Sequence, residues 1–110
     1  MSGTGGLTEI ITIDRETTDP TGEADPTFIE IGRLRAEVKP LRASESERAG
    51  ALRTISVYSF RVLSRAVRSI GVAPEHRIRW GDLLFNIREV RLPAPQEPFA
   101  EIIAETGVAL

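Results

Sequence analysis

A chain of 110 residues, 41% apolar and 27% charged, has the make-up of one folded domain spanning residues 1–110, which excludes wholesale disorder, and seven prolines with nine glycines exclude an uninterrupted coiled coil. It has no cysteine, hence no disulfide, thiolate zinc site or cysteine nucleophile; with no signal-peptide pattern at the start and no apolar run near the roughly 18 residues of a membrane span, we expect a soluble chain folded inside a cell. The net charge of −2 divides into −6 over residues 1–30, +7 over 31–91 and −3 over 92–110, which fits either a subunit showing opposite signs to different neighbours or acidic loops around a solvated basic sheet face.

Residues 1–7 open on a Gly/Ser/Thr-rich stretch and read as a flexible arm. Thr8 to Arg15 alternates Ile11 and Ile13 with Thr12 and Asp14, a strand pattern. Residues 16–26 hold two Asp-Pro pairs and a glycine, so they form a loop. Thr27 to Leu41 is a long strand whose apolar face changes from odd positions (Ile29, Ile31) to even ones (Leu34, Ala36, Val38) near Gly32. Such a slip at a glycine predicts a β-bulge. Pro40 is expected to help end this strand. Ser44-Glu45-Ser46-Glu47 then has the form of a capping box and predicts a short helix from about Glu45 to Leu52.

Thr54 to Leu63 reads as a strand with one slip. Over residues 61–70 two periods compete, because Phe60, Leu63, Ala66, Val67 and Ile70 also fit a helix with Arg61, Arg65 and Arg68 opposite. A turn at Gly71–Glu75 follows. His76–Trp80 and Leu83–Leu92 form a hairpin about Gly81-Asp82, and residues 93–98 are a Pro-rich connector to a last strand at Phe99–Ala104. The sum is mainly β: a small antiparallel β-barrel or sandwich of about six strands with one short helix.

The sequence is poor in reaction chemistry. His76, the single histidine, has no recognisable nucleophile or orienting partner and reads as a surface polar group. Asp19, Glu23 and Asp25 supply oxygen but not the spacing of a calcium loop, and Gly3–Gly6 lacks the phosphate-loop pattern, so no metal, cofactor or catalytic residue is expected. Thirteen of the fourteen basic residues are arginine, the side chain suited to interface ion pairs and to phosphate. An oligonucleotide-binding-like barrel using Arg61, Arg65, Arg68, Arg77 and Arg79 on nucleic acid is therefore the alternative reading. Against it, the few aromatic residues fall mostly on the apolar sides of their strands.

In their order, these pieces resemble the phage head–tail joining proteins, also called head-closure or stopper proteins. The resemblance spans about residues 7–105. It runs from the opening strand Glu9–Arg15 through Leu34-Arg35-Ala36-Glu37-Val38-Lys39-Pro40-Leu41, close to the family's W-A-E-V-x-P-L with Arg35 at the tryptophan position. It ends in the hairpin His76–Ile87, similar to R-I-x-Y-x-G-R-x-F-x-I. Related proteins also occur in phage-like gene transfer agents. The resemblance implies a ring of six or twelve copies under the portal and its adaptor, assembled in the bacterial cytoplasm and carried at the head–tail neck. Such a ring closes the DNA-filled head and meets the tail terminator or tail tube, with packaged DNA near its channel. It also implies that the connection carrying Arg42, Ser44, Glu45, Glu47, Arg48 and Arg53 faces that channel. The charge pattern adds candidate subunit contacts: Asp14, Glu16, Asp19, Glu23 and Asp25 against Arg61, Arg65, Arg68, Arg77 and Arg79.

Overall fold

The computed structural model describes residues 6–17, 27–48, 51–94 and 96–106, with backbone alone for 42–48 and 51–54. Six strands and one helix follow in the order β1 (Glu9–Thr17), β2 (Thr27–Arg48), β3 (Ala51–Leu63), α1 (Ser64–Ile70), β4 (Arg77–Trp80), β5 (Leu83–Arg91) and β6 (Phe99–Thr106). All pairings are antiparallel, and the strands close into a barrel in the cyclic order β1-β2-β3-β6-β5-β4.

Alternation places one face of each strand inside. Ile11, Ile13, Leu34, Ala36, Phe60, Val62, Ile78, Phe85, Ile102 and Ala104 fill the interior. Tyr58, Phe60, Trp80 and Phe85 form its aromatic part, with ring centroids 5.1–6.4 Å apart and mostly edge-on. Trp80 keeps its polar end satisfied by donating from Nε1 to Glu9 at 3.2 Å.

Closing so few strands around this core requires sharp bends, and three bulges supply them. Ile13 faces Gly32 but Asp14 faces Glu30, so Ile31 is the extra residue, as the alternation slip at Gly32 predicts. Leu41 is the extra residue between Pro40 and Arg42, and Arg88 the one between Ile87 and Glu89. The expectation that Pro40 ends β2 fails for a related reason. Beyond Ala36, β2 has no β1 neighbour, and a proline is tolerated at an edge beside a bulge.

The helix predicted at Glu45–Leu52 is absent. Residues 42–48 instead pair one by one with 51–57, extending β2 and β3 as a hairpin ribbon. Two helical turns with a capping box make a weak nucleus, and two strands already in register on both sides of it override that local preference. The helix lies instead at 64–70, where both competing periods prove partly right: β3 runs to Leu63, then Ala66, Val67 and Ile70 turn a helical face onto the core. Gly71 ends it in the left-handed conformation at φ 81°, with its N–H on the Val67 carbonyl.

α1 closes one end of the barrel. The Ser64 N–H donates to the Pro98 carbonyl at 2.8 Å, and Ile70 lies against Gly32. His76 is also a correction: it is buried, not a surface group, and its Nδ1 accepts from the Ala73 N–H at 3.0 Å, locking the turn between α1 and β4. Leu7 is buried as well, so a free arm does not extend to it. At the β4–β5 hairpin, Gly81 takes φ 60°, the positive value that the first position of a tight two-residue turn demands.

A Cβ added at Gly32 would stand 2.5 Å from Cδ1 and 2.7 Å from Cγ1 of Ile70. Gly32→Val is expected to destabilise the fold by about 1–3 kcal/mol through overpacking. Adding Ile70→Ala should return part of that loss, as measured by denaturant unfolding of the three variants.

Candidate functional site

The outward faces carry the charge. On one side, β1 and β4 bring Asp14, Arg77 and Arg79 together. Asp14 is 3% exposed and accepts two hydrogen bonds from Arg79, from Nε at 3.1 Å and Nη2 at 3.2 Å. Arg77 stands 3.7 Å from the same carboxylate and lies over the Phe28 ring at 3.4 Å. Arg79 also reaches Glu30 at 3.8 Å, and Glu30 pairs with Arg33 at 3.0 Å. The Asp14 hydrogen bond, then its charge, holds the Arg79 guanidinium above its ordinary range.

Three of the residues expected at a subunit interface thus meet within one chain. Asp14 and Arg79 satisfy each other within the chain, across a strand pair that the sequence alone does not reveal, while Arg77 Nε is buried beside the same carboxylate without a hydrogen-bond partner. Glu16 is exposed at the end of β1, opposite Phe28. Arg65 and Arg68 are exposed on α1, where Arg68 donates to the Pro93 carbonyl at 3.3 Å. Asp19, Glu23 and Asp25 lie outside the described residues. Arg42, Ser44, Glu45, Glu47, Arg48 and Arg53 stand on the two arms of the ribbon, and the directions of their side chains lie outside the description.

The opposite side carries a feature that the sequence reading missed. A hollow of about 520 Å³ lies on the outer face of β2, β3 and β6, walled on one side by Lys39 and Leu41 and on the other by Leu92 and Pro93. Across its floor runs a ladder of alternating charge. Glu37 pairs with Arg61 at 3.0 Å, Arg61 stands in register with Glu101, and Glu101 pairs with Arg91 at 3.2 Å. Arg61 also lies 3.8 Å over the Phe99 ring, and Ser59 donates to Glu101. Arg91 in turn pairs with Glu89 at 2.8 Å, and this hydrogen bond holds the Glu89 carboxyl below its ordinary range. The stabilisation from Glu89 is therefore present above the ordinary carboxylate range and is lost as pH falls through the lowered value. Beside the hollow stand two exposed leucines, Leu41 at the β2 bulge and Leu92 before the connector.

No group of three or more His, Asp or Glu side chains able to hold a metal comes together among the described residues. No described helix is long and apolar enough to cross a membrane. Four of the six aromatic rings belong to the core as expected, Tyr58, Phe60, Trp80 and Phe85, while Phe28 (37% exposed) and Phe99 lie on the outside, each with one arginine stacked on it. They leave no row of open rings for base stacking.

Asp14→Ala should lower the thermal midpoint more than Glu89→Ala, because it takes from two arginines the buried carboxylate they share, whereas Glu89 is solvent-facing. The difference should persist in high salt, which screens only the exposed pair, as differential scanning calorimetry would show.

Comparison with known proteins supplies the context. The family described as phage head completion protein matches residues 4–107. Among solved structures, a chain from "Virion of native gene transfer agent (GTA) particle" superposes with a TM-score of 0.65 and 25% identity, covering 94% of this chain and 97% of that one. No curated protein matches.

Proposed function

Since the chain belongs to the phage head completion protein family, with a structural role in the head of a phage or phage-like particle, we propose that it forms a ring at the head–tail neck. In this reading the ring of six or twelve copies sits below the portal and adaptor, retains the packaged DNA and offers its far side to the tail terminator or tail tube. It catalyses nothing and acts by fitting its neighbours.

The observation that carries the reading is the β2–β3 ribbon. From Ser44–Ile55 to Arg48–Ala51, the paired strands have no neighbouring strand on either side among the described residues. A lone two-stranded ribbon is marginal in water, and exposed strand edges invite pairing. Such an extension is a poor investment for an isolated barrel and a useful one for a subunit whose partners complete it. We assign the ribbon, with Arg42, Ser44, Glu45, Glu47, Arg48 and Arg53, to the channel side of the ring. The same reading keeps Glu16, Asp19, Glu23, Asp25, Arg61, Arg65 and Arg68 as candidates for contact with neighbours.

Replacing residues 44–55 by a two-residue turn tests it. The shortened chain should keep the barrel's circular dichroism and unfold cooperatively, since core, helix and all six strand pairings remain. Added to particles lacking the native chain, it should fail to retain packaged DNA or to join tails. Full rescue by the shortened chain would refute the channel role.

A further inference from the structure

The hollow on β3 and β6 and the turn between β4 and β5 are unlike surfaces on a single barrel. We propose that the hollow of one copy receives the β4–β5 turn of a second copy, with Lys39 of the first meeting Asp82 of the second. Copies then join head to tail. The proposal rests on the ring reading above and names the surfaces that build the ring.

Charge supplies the first argument. Nearly every charged side chain in the hollow is already paired: Glu37 with Arg61, and Arg91 with Glu101. Lys39 is the one cation lining it that has no ion pair among the described residues, and it is exposed beside Leu41. The β4–β5 turn is the converse. Asp82 at its tip is exposed and has no ion pair among the described residues, while the other charges nearby, Arg79 and Asp14, satisfy each other. One free cation in a concavity thus faces one free anion on a tip. Complementary single charges of this kind fix register between partners more than they add affinity.

Apolar surface supplies the second. Leu41 (53% exposed) and Leu92 (47%) stand at the hollow. Leu84 (39%) stands on the outer face of β5 just after the turn, and Ile10 (54%) adds to the same side from β1, two residues before Thr12, the register partner of Arg79, while Leu83 (43%) alternates to the other face beside Trp80. Arg79 is in turn the register partner of Leu84. Exposed leucines clustered beside unpaired charge mark a contact surface more than scattered ones do.

Barrel topology supplies the third. The turn opens β5 at Leu83, whereas the hollow meets β5 only at Arg91, at the far end of the same strand and about 26 Å away at the usual rise of a strand. A chain cannot fill its own hollow with its own turn. Contacts between two different faces are heterologous, and they close into a ring when the rotation between copies permits.

Cysteine pairs test this directly, because the chain contains none of its own. In the full chain, Lys39→Cys combined with Asp82→Cys should give, on mild oxidation, a ladder of covalent dimers, trimers and larger species. Each single variant alone should give no ladder, and a mixture of the two should stop at dimers. Separately, Lys39→Glu or Asp82→Lys should raise the midpoint concentration for self-association about tenfold, and the two changes together should restore it. Both positions are exposed, so circular dichroism and the thermal midpoint should not change. Self-association of the unmodified chain without a ladder, or with midpoints unmoved by either reversal, overturns this pairing and leaves the ring reading standing. An unmodified chain that stays monomeric at every concentration, and also in the presence of portal and adaptor, overturns the ring reading and this pairing with it.

Discussion

Barrel closure depends on its shortest seam. β1 and β4 meet through three residue pairs, Thr12–Arg79, Ile13–Ile78 and Asp14–Arg77, fewer than at any other strand junction. The centre of that seam, Ile13 beside Ile78, is fully buried, and its outer face is the Asp14 carboxylate gripped by two arginines. A short hydrogen-bonded ladder is thereby reinforced by apolar burial on one side and by charge on the other. Removing a strand from a closed barrel exposes two edges at once, so the whole interior, including the aromatic cluster, depends on this junction. The Glu9–Trp80 hydrogen bond ties the same two strands near the top of the seam.

That dependence explains which parts were legible in the sequence. Alternation is a local property, so six strands in the right order, the bulge near Gly32 and the Gly81-Asp82 turn could be read from spacing. The resemblance to head-closure proteins rests on the same whole-length order, and family membership bears it out. What spacing does not carry is pairing across distance. Asp14 and Arg79 are 65 positions apart, and nothing local marks them as partners instead of candidates for a neighbour's surface. The capping box at Ser44–Glu47 is a true local signal, overridden because β2 and β3 were already in register on both sides of it. The role of His76 is hidden for a similar reason. A lone histidine near a turn reads as polar surface until the turn is folded, when its ring nitrogen becomes the acceptor that the Ala73 N–H requires.

The hollow is the clearest case of a feature invisible in one dimension. Its walls come from β2 and from the β5–β6 connector, and its floor from β3 and β6. Only register sets Glu37, Arg61, Glu101 and Arg91 in one row. In hindsight the sequence carried one faint signal. Leu41 breaks the alternation of β2 just after Pro40, and an apolar residue displaced by a bulge must point somewhere other than the core.

The two ends of the barrel differ in kind. One is stoppered by α1, held by the Pro98 carbonyl and by Ile70 against Gly32. The other emits a ribbon whose strand edges are left without neighbours. A part set between two unlike neighbours needs two unlike ends, and a barrel with a helix plug at one mouth and paired strands running out of the other has that polarity built into its chain order. Side contacts are then a separate matter, left to the outer faces, where most charges are already matched within the chain. With the strong pairs consumed internally, the proposed contacts between copies fall to groups such as Lys39 and Asp82, which have no ion pair among the described residues. Specific assembly thus becomes compatible with a stable, self-contained subunit.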